Sequence, residues 1–294
     1  AIISIFLGEQ LEDILAQIKK DGKAVESLQG GKLNTGVNTL PDLHKDATDR
    51  NRTSPFAFTG NKFEFRSVAS SMSVAGPNCV LNTIVAAVLE DFANQLEGVE
   101  DFEGEVARLI QKTLINHERV IFNGNGYSEA WVKEAEKRGL PNTKTMVDSI
   151  PSMLEPRTIE IFGKHGVLSK VELESRVEIA YESYAKAINI EAKTMLDMAG
   201  KLYIPAIISY ITSLADSINS VRAASETADV SVQNYLLENC SNLLSKVQKA
   251  KEKLALATEK AAGMEAVKEK AILFKDEVIP AMQALREPVD ELEV

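Results

Sequence analysis

Asp49-Arg50-Asn51-Arg52-Thr53-Ser54-Pro55-Phe56-Ala57-Phe58, followed after Thr59 and Gly60 by Asn61-Lys62-Phe63-Glu64-Phe65-Arg66, is the stretch on which the reading of this chain turns. Side chains of a strand alternate between its two faces. A strand over residues 61–66 therefore sends Phe63 and Phe65 one way and Lys62, Glu64 and Arg66 the other. Same-face neighbours sit about 7 Å apart, close enough for all three charges to serve one ligand cluster. The expected arrangement is cation, carboxylate, cation, held by two buried rings. Arginine's fork grips phosphate or carboxylate through two parallel hydrogen bonds, and lysine supplies a point charge. Glutamate is a hard oxygen ligand of the kind magnesium or manganese takes. The same alternation also describes a sheet surface with cross-strand ion pairs, and spacing alone does not separate the two readings.

Working outward, residues 2–7 form a β-branched apolar run that predicts a buried strand, and such a run at position 1 predicts further chain upstream. Residues 9–20 predict an amphipathic helix with Leu11, Ile14, Leu15 and Ile18 on one face. The Gly- and Asn-rich stretch 29–36 reads as loop, and residues 44–53 as a polar segment. Pro77 opens a helix carrying Leu81, Ile84, Val85, Val88, Phe92 and Leu96, and Gly98 closes it. The chain is expected to divide there, into domains 1–98 and 99–294.

Beyond Gly98 the patterns are helical almost throughout. Ser169 and Glu172 form a capping-box signature at the head of a long helical stretch that Pro205 should kink or interrupt. From Leu236 the apolar positions step by four and three through Cys240, Leu243, Val247, Ala250, Leu254, Ala257 and Ala261, the seam of a helix pair or bundle. Gly263 breaks the seam, and Val267, Ala271, Phe274, Val278 and Leu285 resume it on a partner helix. The fold class is α+β, predominantly α.

A net charge of -10, from 33 basic and 43 acidic residues, argues against nucleic acid or an anionic membrane as a partner of the whole surface. Two cysteines, Cys79 and Cys240, make no disulfide framework and suit a reducing compartment. The opening apolar run lacks a basic leader and a cleavage site, and the longest apolar stretches fall short of the ~20 residues a membrane span needs. The expectation is a soluble cytoplasmic protein with no membrane or nucleic-acid partner.

The motif at 49–58 and 61–66 resembles the carboxy-terminal catalytic motif of glutamine synthetases, in the version of the type III branch. Ala75-Gly76-Pro77-Asn78 resembles the family's segment after that motif. Residues 121–128 and 138–142 look like the helical extension of type III. The resemblance implies the C-terminal part of a catalytic domain followed by a helical bundle. It implies that Arg52 contacts the transferring phosphate, that Lys62 stands where an ATP-binding arginine would, that Glu64 ligates the metal bridging the nucleotide phosphates, and that Arg66 holds the substrate glutamate. The cofactors implied are ATP and Mg2+ or Mn2+. The reaction implied is ligation of ammonia to L-glutamate through γ-glutamyl phosphate, in a homo-oligomer of stacked hexameric rings. The better-known branches have a further arginine where this chain has Phe56, Ala57 and Phe58, so part of the phosphate clamp would come from elsewhere. The family's remaining metal ligands belong to segments that match nothing here, so the isolated chain is expected to be inactive.

Blander readings stand beside these. His44, His117 and His165 have no second ligand at metal spacing and read as surface or capping residues. Cys79 and Cys240 lie in apolar helical registers and read as buried, inert thiols. Gly124 and Gly126 lack the strand and the lysine-serine ending of a phosphate loop. The alternatives for the whole chain are a non-catalytic helical oligomerisation or interaction module, and a ligase that joins glutamate to another amine.

Overall fold

The computed structural model describes residues 2–27, 32–33, 43–44, 53–59 and 61–293. It is predominantly helical, with one three-stranded and one two-stranded sheet. The chain forms two compact units, residues 1–144 with 157–168, and residues 145–156 with 169–294.

In the first unit, the expected opening strand is β1 (Ile5–Phe6) and the expected amphipathic helix is α1 (Glu9–Asp21). Gly22 ends α1 in the left-handed conformation, at φ 74°, and its amide donates to the Ile18 carbonyl. Residues 29–36 are not wholly loop, because Lys32–Leu33 (β2) pairs antiparallel with Leu43–His44 (β3). The motif folds as a hairpin of β4 (Phe56–Phe58) and β5 (Phe63–Phe65), with Ala57 opposite Glu64. On its other side β4 lies parallel to β1, with Phe6 opposite Ala57.

The helix predicted after Pro77 is α2 (Ala75–Leu96), and Gly98 follows it at φ 74°. Only Thr83 of α2 is buried, and Ile84, Val85, Val88 and Leu89 lie open. Cys79, expected to be buried in this helix, is exposed for the same reason.

The compact units do not part near Gly98. Further along the chain come α3 (Phe102–His117) and α4 (Glu129–Lys137). Trp131 of α4 is fully buried, and its indole Nε1 donates to the Ile2 carbonyl at 3.0 Å. Ile121 bridges Ile5 in parallel, and the Phe122 amide donates to the Ile5 carbonyl at 3.0 Å. These contacts bind the segment after Gly98 to the first strand, a long-range pairing that composition does not reveal.

The second unit is the expected helical bundle. Its first long helix, α7 (Lys170–Met198), follows the short helices α5 (Met146–Ser149) and α6 (Pro156–Lys164) in the chain and opens with the predicted capping box. Ser169 Oγ accepts from the Glu172 amide, and the Glu172 carboxylate accepts from the Ser169 amide. Pro205 breaks the helical ladder as expected, because it has no N–H and its ring crowds the carbonyl four residues back. The chain meets this with a π-turn, Ala199–Tyr203, and continues as α8 (Ile204–Ala224). Pro280 follows a second π-turn, Phe274–Val278, between α10 (Val267–Leu273) and α11 (Ile279–Glu293).

The seam read from Leu236 lies on one helix, α9 (Ser231–Ala262). Its Val247, Leu254 and Ala261 meet Phe274, Val278 and Leu285 in a core that also takes Ala185 and Ala192 of α7. The four-and-three spacing keeps these residues on one stripe, and burying that stripe is the main stabilising term of such a unit. On length and composition alone, the helical stretch Lys170–Ala224 is apolar enough to cross a membrane, with a window of mean hydropathy 1.2. Only 11% of that window is buried; Ile207, Leu214 and Ile218 of the stretch are buried, while Leu202, Ile208 and Tyr210 are exposed.

Candidate functional site

The hairpin register brings the three charges of the motif together. Phe56 and Phe58 of β4 lie opposite Phe65 and Phe63 of β5, so four rings share one face. Phe56 stacks on Phe63 at 5.3 Å between centroids and meets Phe65 edge-on at 6.0 Å. Phe58 tilts against Phe63 at 5.2 Å. The two backing rings are not buried as expected. They pack against their β4 partners, and Phe63 keeps 49% of its surface exposed.

On the opposite face, Ala57 is completely buried beside Glu64. Lys62 and Arg66 flank β5 and stay in the ladder: the Lys62 carbonyl accepts from the Thr59 amide at 2.8 Å, and the Arg66 amide donates to the Pro55 carbonyl at 2.7 Å. Arg66 sets its fork on one carboxylate oxygen, with Nη2 at 2.8 Å and Nε at 3.2 Å from Glu64 Oε2. Lys62 Nζ lies 3.5 Å from Oε1, which also accepts from Thr59 Oγ1 at 3.3 Å. The Arg66 hydrogen bond, aided by the positive charges of Arg66 and Lys62, holds the Glu64 carboxyl below its ordinary value. Exposure rises from Arg66 (26%) through Glu64 (37%) to Lys62 (66%), so the more closely paired cation is also the more buried.

Glu64 thus pairs with both Lys62 and Arg66 on this face of the hairpin. Whether these residues also suit a divalent metal is a matter of donor count. Among the described residues, no three His, Cys, Asp or Glu side chains are grouped to hold a metal ion. Glu64 is a lone carboxylate, and both its oxygens are engaged by Arg66, Lys62 and Thr59. Mg2+ and Mn2+ need several oxygen ligands, so by themselves these residues do not make a metal centre. Arg52 lies outside the described residues. Its neighbour Thr53 is described, and its carbonyl accepts from the Gly126 amide at 2.7 Å.

Two cavities in this unit lie away from the three charges. One, of about 470 Å³, has an apolar floor of Leu15, Leu114 and Ile121 with Arg119 and Arg138 at its edge. The other, of about 740 Å³, is lined by Ile2, Val132, Leu140 and Lys144 among others. Arg138 is occupied structurally: it donates to Glu134 at 2.7 Å and to the Ile121 carbonyl at 2.9 Å, and lies 5.6 Å from the centre of the Trp131 ring.

Of the histidines, His117 is exposed at the end of α3, and His165 Nε2 lies 3.4 Å from the Glu90 carboxylate, which also pairs with Lys164 at 2.8 Å. The side chain of His44 lies outside the described residues. Cys240 is buried in the bundle, as expected. The contacts that sequence reasoning did not anticipate are those of Asn123, Gly126 and Trp131 with the segments around β1 and Thr53. The only tryptophan of the chain, set in a short charged helix, was the available signal.

Residues 105–222 match the glutamine synthetase C-terminal domain. Over its whole length the chain is 37% identical to the type-3 glutamine synthetase of Dictyostelium discoideum, covering 41% of that protein. It is 36% identical to a glutamine synthetase of Butyrivibrio fibrisolvens and 30% identical to one of Bacteroides fragilis, again over its whole length and covering 42% of each. The chain spans about two fifths of the length of these curated relatives.

Proposed function

Because this chain belongs to the glutamine synthetase family, in its type III branch, we propose that it forms part of an enzyme that ligates ammonia to L-glutamate at the expense of ATP. The observation that carries this reading is the hairpin face on which Glu64 holds Lys62 and Arg66 side by side. Two cations aimed at one region suit a reaction whose first step brings together two anions, the glutamate carboxylate and ATP.

In the first step an oxygen of the glutamate side-chain carboxylate bonds to the terminal phosphorus of ATP. The bond from that phosphorus to the bridging oxygen breaks, and ADP leaves with the electron pair. In the second step the nitrogen of ammonia bonds to the acyl carbon, phosphate leaves with the C–O electron pair, and the new amide sheds its extra proton. Negative charge crowds the transferring group throughout, so fixed cations act by electrostatic stabilisation. Arg66 grips the substrate glutamate, Lys62 meets the ATP phosphates, and Arg52 contacts the phosphoryl group in transfer. Glu64 keeps both neighbouring cations oriented between turnovers.

ATP with Mg2+ or Mn2+ belongs to this proposal. Glu64 would be one ligand of the metal, with the rest contributed by other parts of the protein. The proposal further includes a cytoplasmic location, no membrane or nucleic-acid partner, and a homo-oligomer of stacked hexameric rings. Ligation of another amine to glutamate uses the same cations and is distinguished by the product.

Glu64→Gln in the whole protein tests the reading. It keeps the shape and removes the charge that orders Lys62 and Arg66. We expect a fall in turnover of at least tenfold and a weaker dependence on metal concentration; unchanged kinetics would remove Glu64 from the site. The 294-residue chain assayed alone is expected to form no glutamine, and glutamine formation by it would overturn the view that the site is shared with the rest of the protein.

A further inference from the structure

The cavity of about 470 Å³ in the first unit takes its lining from α1, the end of α3, the 3-10 turn Glu118–Val120 and Arg138. Its apolar wall is Leu7, Leu15, Leu114 and Ile121. Polar ties fix its rim. Lys19 of α1 pairs with Glu118, and the Gln111 side-chain amide of α3 donates to the Lys19 carbonyl at 2.9 Å. One Arg138 nitrogen donates to the carbonyls of Ile121 at 2.9 Å and Arg119 at 3.4 Å, which holds the backbone that carries Arg119.

The charged side chains of the lining are mostly neutralised. Lys19 and Glu118 pair with each other, Glu12 accepts from the Asn123 side chain, and Arg138 pairs with Glu134. Arg119 differs. It is exposed, its guanidinium lies beside Gly139, and among the described residues it has no hydrogen-bond or ion-pair partner. The cavity thus offers one unneutralised positive charge next to an apolar wall.

We propose that this cavity binds a small organic monocarboxylate with an apolar body, its carboxylate on the Arg119 guanidinium and its body against Leu15, Leu114 and Ile121. Small-molecule sites commonly measure about 300–1,000 Å³ and combine apolar walls with a few polar groups. A guanidinium meets a carboxylate through two parallel hydrogen bonds. Phosphate fits the same fork, but its second charge would find the neighbouring cations already paired, and its remaining oxygens would lose water against an apolar wall. With the backbone at Arg119 fixed in advance, a ligand has little besides one side chain to order, which keeps the cost of binding low. None of Lys62, Glu64 and Arg66 lines this cavity, so the site stands apart from the proposed ligase chemistry and does not depend on it.

The test is calorimetric titration of the whole protein with phenylacetate, which joins one carboxylate to one apolar ring. We expect saturable binding with a Kd of about 1 mM or tighter. Phenylacetamide lacks the charge, acetate lacks the ring and inorganic phosphate lacks any apolar body; each should bind at least about tenfold more weakly. Arg119→Gln changes an exposed side chain and should weaken phenylacetate binding by on the order of tenfold or more. Arg66→Lys, at a separate site, should leave it within about twofold. The proposal is overturned by no saturable binding, by phenylacetamide or phosphate binding as tightly as phenylacetate, or by an Arg119→Gln variant that binds like the parent. Binding lost in Arg66→Lys and kept in Arg119→Gln would put the probe at the proposed glutamate site and overturn it as well.

Discussion

Trp131 and Ile2 are joined across the first unit by one hydrogen bond, from the indole Nε1 to the carbonyl oxygen at 3.0 Å, with no part of the tryptophan exposed. Phe122 stacks on the same ring at 4.4 Å between centroids, and Ala135 packs beside it. Removing the ring opens a cavity and frees a buried carbonyl together. Trp131→Ala should therefore destabilise the unit by about 3–5 kcal/mol. Trp131→Phe keeps most of the packing and loses the donor, so it should cost about 1–3 kcal/mol. Urea denaturation followed by circular dichroism checks both; a Trp131→Phe variant as stable as the parent would mean that the hydrogen bond contributes nothing.

Arg66 presents two nitrogens to one Glu64 oxygen, a geometry that lysine cannot copy. Arg66→Lys in the whole protein keeps the charge and loses the fork. Charge-assisted hydrogen bonds are worth about 1.5–3 kcal/mol, so the KM for glutamate should rise on the order of ten- to a hundredfold. The KM for ATP should stay within about twofold, because Lys62 is held by its own contacts. Steady-state kinetics with each substrate varied in turn reads this directly; an effect on ATP alone would reassign Arg66.

In the bundle, Lys275 Nζ lies 2.7 Å from Asp148 Oδ1, at the second π-turn. The Lys275 hydrogen bond, with help from Thr145, holds the Asp148 carboxyl below its ordinary value. The same partnership raises Lys275. A depressed carboxyl contributes stability above its unfolded value of about 4 and loses it as pH falls through the folded value. A raised lysine contributes below its unfolded value of about 10.4 and loses that contribution as pH rises through the folded one. Asp148→Asn should accordingly melt below the parent at neutral pH, with the gap closing as pH drops from about 4 towards about 2. Thermal melts across that range test it; a gap independent of pH would show that the carboxylate charge is not what matters.

Much of the fold was legible because local periodicity and local capping decide it. The capping box at Ser169, the end of α2 before Gly98 and the α9 seam need only residues within a few positions of one another. The alternation of Lys62, Glu64 and Arg66 with Phe63 and Phe65 is equally local, and the hairpin obeys it. Burial was less legible. Phe63 and Cys79 look like core residues by type, yet both are exposed, because burial depends on what packs against a face and not on the face itself.

Gly98 punctuates a helix, and punctuation in sequence suggested a boundary between domains. The compact units part elsewhere, because Trp131, Asn123 and Gly126 return to Ile2, Leu7 and Thr53. The order of residues alone determined the faces of the helices and strands, the charged row of the motif, and the family that the motif resembles, since each depends on spacing along one segment. Only the tertiary structure decided that Glu64 ties Lys62 and Arg66 into one cluster and that a distant glycine sits against Thr53, because such contacts depend on how strands pair and loops close in space.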